Sequence, residues 1–412
     1  MGQLQTKKIY VHQLETGMYV SGLDRPWLET PFYLQGFMIR NAGDVQKLSL
    51  YCDYVYVDYE RSVANLDIEV SHKLSHSRKL GVAATPFNKE LSARRIVKYE
   101  DKIAVTSKIR DANNAYQQIK DEFDSMANRI GSGKALNISN LSEVVNPLVD
   151  SVVRNPGASI WLARLKSQDS YTYRHCIAVA IWCSVIGRQI GLPKKELALL
   201  SMGGMLLDIG KLKIPGAVLN KKQQLSEREF SLVKKHVDLS LKMAADSSRR
   251  IPQAVMDMIA SHHERFNGCG YPQQLAGTDI PLYARIAGIV DCYDAMTSPR
   301  YYATPIPHSE AILKLAGWRS RLFQKELVDT FIQAIGLYPP GSLVELTNGE
   351  VAVVSDYKAG MGRKPKLTII LDINKRRLSK KKVLSLSGKE GTIDIARNLP
   401  PDAYNLDPEA LF

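Results

Sequence analysis

The sequence predicts a mainly α protein: an all-α helical bundle with a small β-rich N-terminal domain and a C-terminal β-hairpin element. Two observations lead to this fold class. Helical patterns separated by Gly and Pro run from 156 to 335, whereas short runs of alternating β-branched and aromatic residues lie towards the two ends. A chain of 412 residues also exceeds what one hydrophobic core usually organises, so several domains are expected.

Short strand patterns mark both ends of the chain. Over 1–65, the runs KIYVHQL, GMYVSGL and DYVYVDYE alternate between Gly and Asp turns, which predicts a small β-rich domain. Over 336–412, two alternating runs are joined by Asn348-Gly349, the strongest short hairpin signal. This second region is predicted to be a β element that also carries a basic segment and a tail.

Residues 66–155 are predicted to be a linker followed by a helical connector. The stretch from 66 to 95 is polar, contains Gly and Pro, and has no apolar period. An amphipathic helix is predicted over about 91–130 and ends at the Gly-Ser-Gly break at 131–133. A further helix then begins, with Ser142 as its predicted N-cap.

Composition narrows the class of protein. The net charge of +13 suits an anionic partner such as a nucleotide, nucleic acid or membrane surface. No window approaches eighteen consecutive apolar residues and the start lacks the apolar core of a secretory signal, so a cytoplasmic location is expected. The five cysteines form no C-x-x-C pair and no zinc-ribbon spacing, so they identify no chemistry.

Histidines concentrate in the predicted bundle. The chain has only eight, yet four of them lie in this segment together with two aspartates: His175, Asp208, His236, His262, His263 and Asp291. Imidazole and carboxylate groups suit a transition-metal or Mn-like ion, and bridging carboxylates allow two ions to lie about 3.5–4 Å apart. The pattern therefore points to two-metal hydrolysis.

The motif around the histidine pair identifies a family. The run HHERFNGCGYP stands at 262–272 and is followed by Ala284-Arg285-Ile286 and by DCYDAMTS at 291–298. These residues resemble the HD-GYP family of bacterial cyclic di-GMP phosphodiesterases. The resemblance implies an HD-type bundle over 156–335 that hydrolyses a phosphodiester bond of cyclic di-GMP, or of a related cyclic dinucleotide, with metal-activated water. At 206–215 the family pattern His-Asp-x-Gly-Lys recurs, but Leu207 replaces the histidine.

The resemblance also implies the metal ligands. One divalent ion, Fe, Mn or similar, would be held by His175, Asp208 and Asp291. A second would be held by His236, His262 and His263, with Asp208 bridging the two. Because Leu207 cannot bind a cation, the first ion loses a ligand and one or two ions are expected. Tyr171 stands where some members carry a glutamate for a third ion.

The remaining implied roles concern substrate. Asp208 and Lys211 are the predicted catalytic residues, and Lys211 also resembles a family lysine that contacts the substrate phosphate. The other predicted substrate-binding residues are Arg300, Gly270, Tyr271 and Pro272. Ala303 stands where a further basic residue is usual. The GYP loop of the family also implies contact with other signalling proteins, and homo-oligomer formation stays open.

Three functional hypotheses follow. The first is an active cyclic di-GMP phosphodiesterase, and the second is a degenerate member that binds a cyclic dinucleotide or a protein partner without turnover. The third is a basic scaffold that works through residues 361–390 as an element separate from the metal site. Six of the seven expected two-metal ligands are present, which favours retained metal binding.

Overall fold

The computed structural model describes residues 6–24, 37–39, 41–58, 62, 87, 90–91, 94–101, 109–165, 171–221, 223, 225–298, 305–356, 365–386, 393–399 and 403–406. The chain divides into two compact units, Met1–Ala84 and Thr85–Phe412. Within the described ranges, no helix combines the length and the apolar character needed to cross a membrane. The finer division into four segments stays a prediction.

The N-terminal unit is a four-stranded antiparallel sheet with one helix. Its described elements are β1 (Thr6–Tyr10), β2 (Tyr19–Leu23), β3 (Phe37–Met38), α1 (Ala42–Ser49) and β4 (Tyr54–Asp58), and the strand order is β1-β4-β2-β3. In β4, Val55 and Val57 are fully buried while Tyr56 is exposed, as the period of two requires. Helix α1 was not predicted, although Asn41 caps it by accepting a hydrogen bond from the Asp44 amide at 3.1 Å.

The connector helix begins later than predicted. Residues 94–101 are not helical, Ile96 is exposed, and the helix runs only from Ile109 to Gly131, so the expected start near residue 91 is wrong. No Pro or Gly in the sequence marks where this helix starts. Residues 94–101 are instead held in a non-helical conformation, in which the Val97 amide donates to the Gly191 carbonyl at 2.7 Å. The predicted end at the Gly-Ser-Gly break is confirmed. The N-cap of the next helix is Asn140 rather than Ser142.

The helical part of the second unit surrounds one long buried helix. Its described helices are α2 (Ile109–Gly131), α3 (Leu141–Arg154), α4 (Pro156–Leu165), α5 (Tyr171–Ile190), α6 (Lys194–Leu206), α7 (Gly216–Leu219), α8 (Glu227–Lys234), α9 (His236–Ala245), α10 (Gln253–Ser261), α11 (Leu282–Thr297), α12 (His308–Gly317) and α13 (Lys325–Ile335). Residues 175–187 of α5 are all buried, as expected of a helix that is apolar on every side. It packs against α6, α11 and α13. The predicted all-α bundle is confirmed.

The C-terminal part forms a five-stranded antiparallel sheet that includes the predicted hairpin. The strands are β5 (Leu343–Leu346), β6 (Val351–Asp356), β7 (Lys366–Leu371), β8 (Arg377–Ser385) and β9 (Ile395–Asn398), in the order β8-β7-β6-β5-β9. The hairpin turn places Gly349 at φ +84°, which favours glycine. One face of the sheet packs against Trp161 of α4.

The basic segment is part of this sheet. Most of it forms β7 and β8, and Leu367 and Ile369 of β7 are fully buried in the sheet core. Lys375 forms an ion pair with Glu345, and so does Arg397. The basic segment therefore lies in the predicted C-terminal β element, where β7 is an inner strand and β8 an edge strand. Its independence from the metal site stays a prediction. The side chains at 379–381 lie outside the described residues.

A close approach between helices α5 and α6 predicts a sharp sensitivity to helix spacing. A methyl group at Gly204 of α6 would lie 2.6 Å from the Ala180 Cα of α5, so the helices could not keep their separation. We expect Gly204→Ala to lower the free energy of unfolding by about 1–3 kcal/mol, the usual effect of overpacking. Urea unfolding followed by circular dichroism measures this change.

Gly317, the last residue of α12, is the matched control, because a methyl group there meets no atom within 4 Å. Gly317→Ala should leave stability unchanged or raise it slightly, since alanine favours helix. Equal stability of the two variants would show that α5 and α6 do not depend on this contact.

Candidate metal centre

The structure brings the six predicted ligands together from five parts of the bundle. His175 comes from α5 and Asp208 from the turn after α6. His236 begins α9, the pair His262-His263 follows α10, and Asp291 comes from α11. Their ligand atoms form two groups, each within 4.8 Å, and Asp208 belongs to both.

The first group contains three imidazoles and one carboxylate. The Nε2 atom of His236 lies 3.4 Å from Nε2 of His262 and 3.1 Å from Nε2 of His263. It also lies 3.2 Å from Oδ1 of Asp208. Ligand bonds of about 2.0–2.1 Å to a shared ion place neighbouring ligand atoms roughly 3 Å apart. These separations therefore match the ligands of one shared ion.

Hydrogen bonding shows why these imidazoles fit a cation. The Nδ1 atoms of His236 and His262 lie 2.7 and 2.9 Å from the carbonyl oxygens of Val233 and Ile259. A carbonyl can only accept, so each Nδ1 carries the proton and each Nε2 presents a lone pair. Lone pairs that face each other in a buried site repel unless a cation lies between them. The donor set thus suits a metal ion.

The second group contains His175, Asp208 and Asp291. Nε2 of His175 lies 2.9 Å from Oδ1 of Asp291 and 3.3 Å from Oδ2 of Asp208. Nδ1 of His175 donates a hydrogen bond to Oδ2 of Asp294, at 2.7 Å. With that proton on Nδ1, the other ring nitrogen directs its lone pair towards two carboxylates, an arrangement that a cation stabilises.

Asp208 lies at the junction of the two groups. Its Oδ1 faces His236 and its Oδ2 faces His175, so one carboxylate is placed to bridge two ions. Among the described residues, Oδ1 is buried and has no hydrogen-bond partner. Burial alone would raise the pKa of Asp208, but the adjacent Lys211 ammonium holds it well below its usual range. The carboxylate therefore stays charged.

The histidines of the first group stay neutral, as metal ligands must. Burial lowers the pKa of His262 to about 4 and also lowers the pKa of His236. It holds the pKa of His263 well below its usual range. The negative charges of Asp208 and Asp291 act in the opposite direction but are outweighed. Protons therefore do not compete for Nε2 near pH 7.

Asp294 supports the candidate ligand His175 and was not predicted from the sequence. Besides His175, its carboxylate accepts hydrogen bonds from the Trp182 indole at 3.3 Å and from the Ser298 hydroxyl at 3.1 Å. A carboxylate that binds the far nitrogen of a ligand histidine fixes the ring's tautomer and orientation. The signal was available, because Asp294 follows Asp291 by three residues and shares its helix face.

Leu207 lies in the hydrophobic core and is fully buried. Its carbonyl accepts a hydrogen bond from the Ser240 hydroxyl at 3.0 Å, and the same hydroxyl accepts from the Gly210 amide at 2.8 Å. These bonds fix the turn that carries Asp208 to helix α9. The backbone is thus held in place although the leucine side chain supplies no ligand.

The predicted substrate-binding loop, 270–272, contacts a histidine of the first group. The Tyr271 ring stacks on the His263 ring, with centroids 4.6 Å apart. Gly270 packs so closely that a methyl group there would lie 2.4 Å from the Glu264 backbone. Glu264 in turn accepts a hydrogen bond from the Gln273 amide, next to Pro272, at 2.7 Å. The loop therefore has a fixed position beside His263.

The other predicted residues divide into two sets. Lys211 forms an ion pair with Oδ2 of Asp208, so its ammonium lies at the metal centre. Arg300 and Ala303 lie outside the described residues, as does the side chain of Tyr171, so their predicted roles stay predictions.

Comparisons with known proteins agree with this picture. The HD domain model matches residues 154–327, and a domain of unknown function (DUF3391) matches residues 6–141. A cyclic di-GMP phosphodiesterase of Pseudomonas aeruginosa is 32% identical over 404 residues, which cover 97% of this chain and 93% of that protein. The cyclic di-GMP phosphodiesterase response regulator RpfG of Xanthomonas campestris is 35% identical over 149 residues, 36% of this chain and 39% of RpfG. A 3'3'-cGAMP-specific phosphodiesterase of Vibrio cholerae is 31% identical over 169 residues, 41% of this chain and 32% of that protein.

The helical bundle and its shared carboxylate define an HD domain, the fold of a class of metal-dependent phosphohydrolases. Within that class, the intact HHERFNGCGYP run and the full-length similarity narrow the assignment. The chain belongs to the HD-GYP family.

The position of Asp294 predicts an effect on metal affinity. Asp294→Asn keeps the side-chain size but removes the charge that holds His175, so metal affinity should fall about 10- to 100-fold. Titration of the metal-free protein with Mn²⁺ measures the affinity. Asp238→Asn, a change at an exposed residue of α9, is the control. Unchanged affinity in the Asp294 variant would mean that His175 is oriented by packing alone.

Proposed function

We propose that this protein is a cyclic di-GMP phosphodiesterase that hydrolyses a phosphodiester bond of the dinucleotide. The observation that carries the proposal is the pair of His/Asp groups that share the buried carboxylate of Asp208. The relative from Pseudomonas aeruginosa, which is similar over nearly the whole chain, supports cyclic di-GMP as the substrate.

The residues fit divalent ions in both groups. His236, His262, His263 and Asp208 would hold one ion, and His175, Asp291 and Asp208 would hold the other. Bound divalent ions lower the pKa of water to supply a nucleophile and stabilise negative charge on the phosphoryl group. Fe and Mn suit this mixture of imidazole and carboxylate ligands.

Two residues, Lys211 and Tyr271, would act on the substrate directly, and Gly270 would position Tyr271. Lys211 places a positive charge next to the shared carboxylate, where it can bind a phosphate oxygen and offset its charge. Burial raises the pKa of Tyr271, so its hydroxyl stays protonated and can donate a hydrogen bond. The tight turn at Gly270 holds Tyr271 against His263, which positions that donor.

Burial of the site strengthens these interactions. His175, Asp208, His236 and His262 are at most 1% exposed. Charges in such a low-dielectric site interact more strongly than charges in water. The Lys211 ammonium, and the divalent ions that these ligands would hold, would therefore attract a phosphate more strongly here than in water.

One observation favours a second candidate function, namely binding of a cyclic dinucleotide without turnover. Leu207 supplies no nitrogen to the group that contains His175. A lost ligand can displace the nucleophile enough to slow the reaction by two or more orders of magnitude. In that case the site would still hold metal and ligand. Contact of the GYP loop with other signalling proteins belongs to this second candidate.

A direct assay tests the proposal. We expect purified protein loaded with Mn²⁺ or Fe²⁺ to convert cyclic di-GMP into a linear product, measured by chromatography. His236→Gln should lower the rate at least about 100-fold, because His236 contacts every member of the first group. His12→Gln, at an exposed position of the N-terminal unit, should not change it. Binding without turnover would favour the second candidate, and neither binding nor turnover would reject both.

Replacing Leu207 by histidine should repair the site. The other ligands already define the missing corner, so Leu207→His should raise the bound metal content and the rate of turnover, by at least about tenfold if ligation limits the rate. Elemental analysis and the same assay measure both. Leu207→Asn, which adds polarity without an imidazole, is the control. An unchanged metal content and rate would show that Leu207 is not the limiting defect.

A further inference from the structure

A row of three side chains leads outward from His263 to the surface. The Tyr271 ring stacks on His263, and Lys234 Nζ lies 5.7 Å from the centroid of that Tyr271 ring. The same ammonium lies 5.2 Å from the centroid of the Phe230 ring. We name Tyr271, Lys234 and Phe230 the outer row. It joins a metal-centre histidine to an exposed aromatic ring.

Phe230 is unusual in its surroundings rather than in its exposure. Its side chain is 48% exposed, and single exposed apolar residues are common on protein surfaces. Phe230, however, lies four residues before Lys234 on α8, so the ring and the ammonium share one helix face. The first turn of α8 is fixed by a capping box between Ser226 and Glu229. The ring is thus presented from an anchored helix.

Lys234 has a charge available for a ligand. Among the described residues, its ammonium takes part in no ion pair, and the nearby Glu229 is paired with Lys221 at 2.7 Å. The ammonium lies over two aromatic faces instead. Such contacts at exposed sites are weaker than a charge-assisted hydrogen bond to a phosphate oxygen. A phosphate in reach would therefore draw the ammonium away from the rings.

We infer that the outer row is a nucleotide subsite, in which Phe230 and Tyr271 stack against one purine base and Lys234 binds a phosphate oxygen of the same ligand. The inference rests on the proposed function and names the residues that bind the base. With one phosphate of a cyclic dinucleotide at the metal centre, its bases extend outward, where flat apolar rings provide stacking surfaces. The movement of Lys234 to the phosphate frees those ring faces.

The test is the substitution Phe230→Ala. We expect KM for cyclic di-GMP, or the dissociation constant if turnover is absent, to rise about tenfold, equivalent to about 1.4 kcal/mol of lost stacking. The turnover number should not change, because the base contact is the same before and during the reaction. Phe230→Trp should restore the wild-type KM, since it keeps an aromatic face. Inhibition by inorganic phosphate, which has no base, should be equal in all variants.

Tyr404→Ala is the matched control. Tyr404 is also an exposed ring, 42% exposed, and Lys375 lies 5.7 Å from its centroid, but it belongs to the C-terminal part of the chain. A Phe230→Ala protein with the same KM as Tyr404→Ala would overturn the subsite while leaving the proposed function intact. Weaker inhibition by phosphate in Phe230→Ala would also overturn it, because the defect would then lie at the metal centre. A wild type that neither binds nor hydrolyses cyclic di-GMP would reject the proposed function itself.

Discussion

The burial of one charged carboxylate, Asp208, is the constraint on which the rest of the site depends. A fully buried carboxylate is costly unless opposite charge and hydrogen bonds surround it. Here the Lys211 ammonium supplies part of that compensation, while Oδ1 is left without a hydrogen bond among the described residues. Two groups of candidate ligands converge on the two oxygens of this carboxylate, so bound cations would supply the remaining compensation.

The scaffold is built to keep the ligands at these separations. Helices α5 and α6, which lead to His175 and Asp208, approach so closely at Gly204 that no side chain fits between them. Helix α11, which carries Asp291, is anchored by the buried Arg285. Its guanidinium donates to the Ile280 carbonyl at 2.8 Å and also binds Glu90 and Gln324. Rigid helices can therefore hold the candidate metal ligands and the supporting Asp294 at fixed distances from one another.

The family motif at 207–208 shapes the turn that carries Asp208 and also supplies a nitrogen ligand, and Leu207 keeps only the first of these roles. Its backbone still forms the turn that positions Asp208, through the Ser240 hydroxyl, and its side chain is part of the hydrophobic core. The loss therefore falls on one nitrogen ligand rather than on the fold. Since His236 begins α9 and the His262-His263 pair follows α10, the first group keeps its full set of donors.

The sequence alone determined the type of most elements and the candidate ligands of a metal centre. Apolar periodicity identified the bundle, Asn348-Gly349 located the hairpin, and the family motif selected residues that do converge in space. These features depend on local patterns or on short motifs, which a sequence displays directly. The N-terminal strands were found for the same reason.

Only the tertiary structure decided where long-range contacts override local pattern. Residues 94–101 are not helical, because the Val97 amide donates to the Gly191 carbonyl across the chain. The support of His175 by Asp294, which is 119 residues away in the chain, and the outer row beyond His263 depend equally on distances between separate helices. A sequence contains the residues of such contacts, but packing of the whole chain sets their separation in space.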